Sequence, residues 1–349
     1  MWRSWLTRRH GVAEIPGSNP GTPTKNMKLN KQKSFLVYPT SPFHFDSTFY
    51  KPGHFPSNDT KWEPGRRWQT MLWRGQKLGM IYENAETKLK PKVRVKIFSN
   101  KDLREDFRED LKQEIVWRFN LDLDLAGFYK DVGKDPLLAP IIKKFSGLRP
   151  MHHGSLYEYL IIDIVLQNTV VRRSVSMLQS LFEKYGDLLE YDNQRFWCYW
   201  EPKVLAKADE QELRNLKVGY RAKSLIRVSK PFANRKIDEL ELRNKSKEEQ
   251  EKTLLSLYGI GPASVGYIMF DVFHRWDYLN HISPWEQKIY TKIFFNKDYE
   301  KNLVPVDTML KRFDKWGKWK NLAVHYVWED IWWKRKNKKI PWLEKEMRL

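Results

Sequence analysis

The sequence of 349 residues contains one cysteine, Cys198. A lone thiol excludes an internal disulfide, a four-cysteine zinc site and a cysteine-ligated iron–sulfur cluster. We therefore expect a protein of a reducing cytoplasm, nucleoid or nucleus, with neither a metal ion nor another cofactor. Apolar runs of the ~20 residues that a membrane-spanning helix requires are also lacking, which excludes integral membrane insertion.

Acidic residues are scarce relative to basic ones. The chain has 43 Asp and Glu against 63 Lys and Arg, which gives a formal net charge of +20. This excess favours an acidic partner. There are 16 Trp, and several lie beside a basic residue, as in Arg67-Trp68. Basic and aromatic side chains together suit a stacked, polyanionic ligand.

Hydrophobic periodicity divides the chain into a β part and a helical part. Short β-favouring runs such as 67–73 and 93–97 are separated by Gly, Pro and Asn, which predicts a small antiparallel sheet. The period then changes to 3.6 residues and stays there to the end. The sequence thus predicts an α+β, mainly α fold, with an N-terminal antiparallel β domain followed by a two-part helical core.

Domain boundaries follow from the same changes of pattern. We predict a disordered basic tail (1–30), an antiparallel β domain (31–105), a helical subdomain that closes a cleft (106–150 with 284–336), a second helical subdomain (151–283, with a helix-hairpin-helix at 246–276) and a basic tail (337–349). The first 26 residues are rich in Pro, Gly, Ser, Asn and Thr. Met27 stands where a shorter translation product could begin.

A Gly/Pro-rich segment, Leu257-Tyr-Gly-Ile-Gly-Pro-Ala-Ser264, lies between two amphipathic stretches. Its glycines can adopt positive φ, and Pro262 suits the first turn of a helix. This pattern predicts a helix-hairpin-helix, with an ordinary corner between two helices as the alternative. Backbone N–H groups of the hairpin and of the following helix would face outward and bind a DNA phosphate. The positions concerned are Gly259, Ile260, Gly261 and Ala263.

With this hairpin the sequence resembles the helix-hairpin-helix (HhH-GPD) DNA glycosylases, and its layout is similar to the 3-methyladenine and 8-oxoguanine members. Other family landmarks are resembled in the right order by residues 116–129, 145–150, 160–168 and 216–223. The resemblance implies base flipping followed by cleavage of the N-glycosidic bond, since that bond cannot be reached inside a stacked duplex.

The resemblance also assigns a turn between two helices to the orphaned base. Gln167 and Asn168 match the family turn that enters the gap left by the flipped nucleotide. Both side chains carry donors and acceptors for a base edge. Simple termination of a helix by Asn168 is the alternative explanation.

Two positions depart from the family pattern. Bifunctional members carry a Schiff-base lysine two residues after the second hairpin glycine, where this chain has Ala263, which implies a monofunctional glycosylase without AP-lyase activity. The family's aspartate falls about 20 residues further on, at Ser283. Ser283, Pro284 and Glu286 form a capping box that locates a helix start. The usual catalytic carboxylate is therefore missing from its place.

Four carboxylates could replace this aspartate and stabilise the oxocarbenium-like cation of glycosidic cleavage. Asp271 shares a helix face with Tyr267. Glu286 is one turn inside the next helix, where it is also the capping-box partner. Asp277 and Asp307 are weaker candidates, with a solvated turn and a helix N-cap as their alternative roles. We favour Asp271 or Glu286 without choosing between them.

Four residues are candidates for the base pocket. Tyr267 occupies a pocket-lining position of the family, and Asn321 and His325, which share a helix face, match the helix that closes the pocket. Trp285 and Tyr267 could stack on an electron-poor ring. The expected function is base excision from double-stranded DNA by a monomer, with an alkylated purine preferred because a cationic base leaves easily.

Other substrates and one other class of function stay open. An oxidised purine, uracil or a mismatched base could be the lesion. Alternatively, the protein could be a catalytically inactive, structure- or lesion-specific DNA-binding protein that keeps the hairpin and lost its chemistry with the aspartate.

Overall fold

A computed structural model describes residues 25–50, 55, 57–86, 90–152 and 154–347. Its strands are β1 (Lys25–Lys28), β2 (Lys31–Val37), β3 (Thr60–Glu63), β4 (Arg66–Trp73), β5 (Gln76–Asn84), β6 (Val93–Ser99), β7 (Asp187–Tyr191) and β8 (Gln194–Cys198). Among these residues, no helix is long and apolar enough to cross a membrane.

The helices up to the middle of the chain are α1 (Phe45–Phe49), α2 (Glu105–Arg118), α3 (Ala126–Val132), α4 (Leu138–Lys144), α5 (Leu156–Leu166), α6 (Val171–Tyr185), α7 (Pro202–Ala206), α8 (Glu210–Leu213) and α9 (Arg221–Ala233). The remaining ones are α10 (Glu239–Arg243), α11 (Lys247–Leu255), α12 (Pro262–Asp271), α13 (Pro284–Phe295), α14 (Val306–Phe313), α15 (Lys320–Asn337) and α16 (Pro341–Met347).

The first sheet is antiparallel, with the strand order β2-β6-β5-β4-β3. In β6, Val93, Val95 and Ile97 are fully buried, whereas Arg94 is exposed. Such alternation is typical of a sheet with one face on a core, which here includes buried residues of α2 such as Ile115. The predicted N-terminal antiparallel domain is present.

A second, three-stranded sheet has the order β1-β7-β8 and differs from the sequence-based expectation. Strand β1 lies within the segment expected to be disordered, and β7 and β8 lie within the segment expected to be helical. Asp192 and Asn193 both have positive φ, as a two-residue hairpin turn requires. The Tyr191 ring packs so closely on Gly79 that a Cβ there would lie 2.5 Å from it.

The C-terminal segment 337–349 also differs from the expected tail, because it contains α16, whose Leu343 is fully buried. It joins the second of two helical cores. The first core includes residues of α5, α6, α9, α11 and α12, and the second includes residues of α3, α4, α13, α14 and α15. Helix α12 contributes Ile268 to the first core and Phe270 to the second. The segment after the Gly/Pro-rich turn is therefore fixed between both.

A buried ion cluster ties α2 to α10. The Glu114 carboxylate accepts from Arg118 Nε at 2.6 Å and from Arg243 Nη1 at 2.6 Å. Burial opposes ionisation of Glu114, but the two guanidinium groups outweigh it and hold the pKa of Glu114 below its ordinary value. Breaking a buried pair is costly because it leaves uncompensated charge.

We expect Glu114→Gln to lower the free energy of unfolding by about 3–5 kcal/mol, since Arg118 and Arg243 lose the buried carboxylate that they share. Urea denaturation at neutral pH measures this. Glu109→Gln is the matched control, because Glu109 is exposed on the same helix. Equal stabilities of the two variants would contradict the role assigned to Glu114.

Candidate active site

The hairpin between α11 and α12 forms as the sequence predicts, with Pro262 as the first residue of α12. Gly259 has φ +85°, a conformation that favours glycine. Gly261 is extended, with φ −116° and ψ 178°, and caps α12. Positive φ is therefore required at Gly259 only.

One of the four N–H groups proposed for a phosphate has another partner. Ile260 N donates to the Leu257 carbonyl at 3.1 Å, so this N–H closes the turn. The expectation that Ile260 N–H faces a phosphate is therefore wrong. Ala263 lies in the first turn of α12, where helix geometry leaves N–H groups without an intrahelical acceptor. The phosphate role of Gly259, Gly261 and Ala263 stays a prediction.

The turn assigned to the orphaned base lies against this hairpin. Gln167 Nε2 donates to the Gly259 carbonyl at 2.6 Å. Asn168 has φ +48°, and its amide donates to the Tyr220 hydroxyl at 3.4 Å. The structure thus brings two segments that are far apart in the chain to one surface. We call Gln167, Asn168, Tyr220, Tyr258 and Gly259 the hairpin surface.

Sequence reasoning missed the tyrosines of the hairpin surface. Tyr220 is 53% exposed and Tyr258 is 44% exposed. The Arg227 guanidinium lies 4.3 Å from the Tyr258 ring centroid and the Lys223 ammonium 5.7 Å from it. The available signal was spacing, because residues 220, 223 and 227 share one face of a helix.

Glu286 lies in a cluster of hydrogen-bond donors. Ser283 donates to its Oε2 through the hydroxyl at 2.6 Å and through the backbone N–H at 2.9 Å. Tyr267 donates to Oε1 at 3.0 Å, and the Tyr290 hydroxyl lies 3.5 Å from it. The capping box predicted from the sequence is present.

Tyr267 lies between Glu286, to which it donates a hydrogen bond, and Ala263, the position where bifunctional relatives carry lysine. It lies one turn after Ala263 on α12, and its side chain is 40% exposed. Burial of the hydroxyl and the charge of Glu286 raise the pKa of Tyr267 well above its ordinary value. The phenol therefore stays protonated and acts as a donor at neutral pH.

Asp271 faces helix α5, where it lies near a second buried carboxyl group. Asp163 is 8% exposed, and its Oδ2 is buried without a hydrogen-bond partner. Burial, and next the charge of Asp271, raise the pKa of Asp163 well above its ordinary value. Sequence reasoning missed Asp163, although it is a lone carboxylate in the apolar run Leu160-Ile-Ile-Asp-Ile-Val-Leu166. Asp163, Tyr267, Asp271 and Glu286 are called the carboxylate cluster below.

The two weaker candidates have other surroundings. Asp277 forms an ion pair with Lys247 of α11 at 2.7 Å, and both side chains are partly exposed. Asp307 is exposed in the first turn of α14, whose N-cap is Pro305. The alternative expectation that Asp307 is itself the N-cap is therefore wrong.

The three remaining base-pocket candidates contact either an aromatic ring or a backbone carbonyl. Trp285 is 39% exposed, with its ring 5.8 Å from that of Trp328. The Asn321 amide donates to the Tyr278 carbonyl at 2.6 Å, which ties α15 to the loop after α12. The His325 ring lies 5.0 Å from that of Phe270. Their contact with a flipped base stays a prediction.

The residues that the structure describes include no cluster of metal ligands. No group of three or more His, Cys, Asp and Glu residues there could hold a metal ion.

We expect Gly259→Ala to destabilise the hairpin for two reasons. A Cβ would lie 2.8 Å from Ser224 Oγ, and an alanine backbone is strained at φ +85°. The cost of such strain is about 1–3 kcal/mol. Gly261→Ala is the matched control, since its Cβ would meet nothing within 4 Å. Thermal unfolding of both variants measures the difference. Equal melting temperatures would show that the hairpin does not depend on Gly259.

Comparison with known proteins gives a consistent result. The family model described as HhH-GPD superfamily base excision DNA repair protein matches residues 161–325. The DNA-3-methyladenine glycosylase of Bacillus subtilis (strain 168) is 23% identical over 252 residues, which cover 69% of this chain and 82% of that protein.

Two solved structures share the fold. The 3-methyladenine DNA-glycosylase from Archaeoglobus fulgidus matches with a TM-score of 0.67 at 13% identity, over 85% of this chain and 99% of that one. The Clostridium acetobutylicum 8-oxoguanine glycosylase/lyase, in complex with dsDNA containing cytosine opposite to 8-oxoG, matches with a TM-score of 0.64 at 18% identity, over 90% and 100%. These likenesses confirm the predicted fold class.

Proposed function

We propose that the chain is a monofunctional DNA glycosylase for an alkylated purine, because its residues 161–325 match the family model of HhH-GPD superfamily base excision DNA repair proteins. It binds double-stranded DNA containing the lesion, flips the damaged nucleotide and hydrolyses its N-glycosidic bond. Glu286 supplies the carboxylate that stabilises the sugar cation. The observation that carries this assignment is the hydrogen bond from Tyr267 to Glu286, one helical turn from Ala263.

The capping box explains how Glu286 takes over from the absent aspartate. An aspartate at the N-cap would hold its carboxylate beside the first N–H groups of α13. Here Ser283 is the N-cap, and Glu286 reaches back to the Ser283 N–H at 2.9 Å. A glutamate three residues inside the helix thus brings its carboxylate to the same helix end. The carboxylate is thus supplied from position 286 instead of position 283, but it lies at the same end of the helix.

The surroundings of Glu286 suit stabilisation of a cation. Its oxygens accept from O–H and N–H groups, which match a carboxylate that is ionised and acts as acceptor only. These donors also fix its orientation before the reaction, so no reorganisation is needed as positive charge develops on the sugar. Glu286 can in addition orient the attacking water and receive its proton.

Ala263 supports hydrolysis without strand cleavage. A Schiff base with the sugar requires an amine nucleophile. The methyl side chain of Ala263 cannot form one at the position where bifunctional relatives carry lysine. The product is then a free base and an intact strand with an abasic site.

Exposed aromatic rings support an electron-poor base as substrate. Tyr267 and Trp285 are 40% and 39% exposed beside Glu286. Aromatic faces attract cations, and a purine carrying an extra alkyl group on a ring nitrogen is cationic. The similarity to a DNA-3-methyladenine glycosylase supports the same class.

We expect Glu286→Gln to lower the single-turnover rate of base release from a duplex containing 7-methylguanine by about 10²–10⁴-fold, the range for one positioned catalytic group. Glutamine also serves in a capping box, so the helix start is kept. Asp277→Asn and Asp307→Asn are matched controls, because both carboxylates lie outside the carboxylate cluster, Asp307 exposed and Asp277 partly exposed. Full activity of Glu286→Gln would contradict the assignment.

The same assay separates this proposal from its rivals. We expect strand breaks only after alkali treatment, because hydrolysis leaves the backbone intact. Breaks without alkali, or trapping of a covalent adduct by borohydride, would reveal a lyase. Binding without any break across alkylated, oxidised, uracil-containing and mismatched duplexes would favour the catalytically inactive DNA-binding protein.

A further inference from the structure

The end of helix α15 carries a lysine whose ammonium group lies among three aromatic rings. Lys336 Nζ is 4.4 Å from the ring centroid of Trp62, 5.1 Å from that of Trp333 and 5.5 Å from that of Tyr50. We propose that Lys336 is a modification site, at which a methyltransferase methylates Nζ and these rings hold the methylated ammonium. The proposed hydrolysis does not use this group, so the two proposals are independent.

The three rings come from three different elements and form the walls of a box. Tyr50 directly follows α1, Trp62 lies in β3 and Trp333 lies in α15. The Tyr50 ring is 5.3 Å from the Trp333 ring at an interplanar angle of 77°, and 6.3 Å from the Trp62 ring at 80°. Aromatic faces attract cations through their negative quadrupole, and methylated lysine is typically bound by such rings. We call Tyr50, Trp62 and Trp333 the aromatic cage.

Other contacts hold two of the cage rings in place. The Tyr50 hydroxyl donates to Glu329 Oε2 at 3.2 Å. The Trp333 ring packs at 5.8 Å from the Phe145 ring, at an interplanar angle of 78°. The orientation of both rings is thus set by contacts that do not involve Lys336, so little ordering is needed when a methylated ammonium enters.

A methylated ammonium fits this cage better than a plain one. A plain ammonium has three N–H donors, and aromatic rings do not replace the water that those donors lose. Loss of hydration accordingly lowers the pKa of Lys336, although the charge of Asp46 acts in the opposite direction. Methyl groups replace N–H donors with apolar surface and keep the positive charge. Acetylation would remove the charge, so the cage favours methylation over acetylation.

Lys336 is also accessible to a modifying enzyme. The residue is exposed, and it is the last but one of α15. The last turn of a helix opens at a lower cost in free energy than a core segment does. The lowered pKa increases the fraction of neutral amine, which is the form whose lone pair accepts a methyl group.

Each methyl transfer is balanced in atoms and charge. The co-reactant is a sulfonium methyl donor bound by the methyltransferase. The lone pair of neutral Nζ forms a bond to the methyl carbon, and the C–S bond breaks with its electron pair left on sulfur as a neutral thioether. Nζ releases a proton to solvent before the next transfer. Three transfers give a quaternary ammonium.

Lys334 provides a matched comparison on the same helix. Its Nζ forms an ion pair with Asp330 Oδ2 at 2.5 Å, and its side chain is more than half exposed. Asp330 also pairs with Lys144 at 2.8 Å. Because Lys334 uses an N–H donor on a carboxylate, methylation there would remove donors from an ion pair. We therefore expect Lys336, and not Lys334, to be the modified residue.

The natural cysteine content allows a site-specific test. Cys198 is fully buried, and burial raises the pKa of its thiol, so it is a poor nucleophile. In Lys336→Cys the introduced thiol can therefore be alkylated selectively in the folded full-length protein. Treatment with 2-bromoethylamine gives a lysine analogue, and (2-bromoethyl)trimethylammonium gives a trimethyllysine analogue. Both have sulfur in place of the γ-methylene, and intact mass verifies a single addition.

The two analogues should differ in thermal stability. At position 336 we expect the trimethyl analogue to melt about 1–3 °C above the unmethylated one, a shift typical of a cation–π contact in a chain of this size. The same two analogues installed in Lys334→Cys should melt at the same temperature. Equal melting temperatures of the two analogues at position 336 would overturn the preference of the cage for a methylated ammonium.

Removing one ring tests whether the cage produces the difference. Trp62→Leu, combined with Lys336→Cys, deletes the ring that lies closest to Nζ. Both analogues are compared within this background, so a general loss of stability cancels. We expect the difference in melting temperature to shrink to that measured at position 334. An unchanged difference would show that the aromatic cage does not hold the methylated group.

The modification itself is measured on protein from the cells that produce it naturally. Peptide mass spectrometry should find one to three methyl groups on Lys336 and none on Lys334. Loss of trimethylamine on fragmentation distinguishes trimethylation from acetylation. Unmodified or acetylated Lys336, or equal methylation of Lys334, would overturn the proposal.

Lys336→Arg separates the modification from a purely structural contact. Arginine keeps the positive charge and the attraction to aromatic rings but is not a substrate for lysine methylation. Isolated from the natural cells, wild type should melt above Lys336→Arg. Synthesised with purified translation components, without a methyltransferase, wild type should lose this advantage. The same difference from both sources would assign Lys336 a structural role alone.

Discussion

Helix α12 is the constraint on which the candidate site depends. Within ten residues it begins at the hairpin, carries Tyr267 towards Glu286 and ends at Asp271 beside Asp163. The orientation of α12 is fixed, because Ile268 packs in one helical core and Phe270 packs in the other. Rigid placement between two cores keeps the distance from the hairpin to the carboxylates constant, as positioned catalytic groups require.

Short sequence patterns correctly predicted the structural features that depend on neighbouring residues. The hairpin, the start of α13 and the antiparallel sheet follow from Gly and Pro positions, a capping box and alternation, and the structure has all three. The family resemblance is confirmed by the match over residues 161–325. Strand β1 could not be predicted, because its pairing with β7 connects residues about 160 positions apart and leaves no periodic signal in four residues. Tertiary partners decide such short strands.

The carboxylate cluster shows the same limit at the level of chemistry. Sequence reasoning counted from Ala263 along the chain and reached Asp271 and Glu286, but it could not order them, since their partners come from other helices. Counting forward from Ala263 could not identify Asp163, because that residue lies about a hundred positions earlier in the chain. What singles it out is burial without a donor, a property of packing between α5 and α12. Charge state depends on that packing more than on residue type.

On the proposed function, serine at position 283 is a change of side chain rather than a loss of charge. A helix N-terminus attracts a carboxylate through its free N–H groups and its dipole, whichever residue of the first turn supplies it. Ser283 and Glu286 meet that demand jointly, since the serine hydroxyl and N–H both hold the glutamate. The longer side chain needs more support, and Tyr267 and Tyr290 provide it from α12 and α13. The position of the Glu286 carboxylate therefore depends on α12, the helix that also begins at the hairpin.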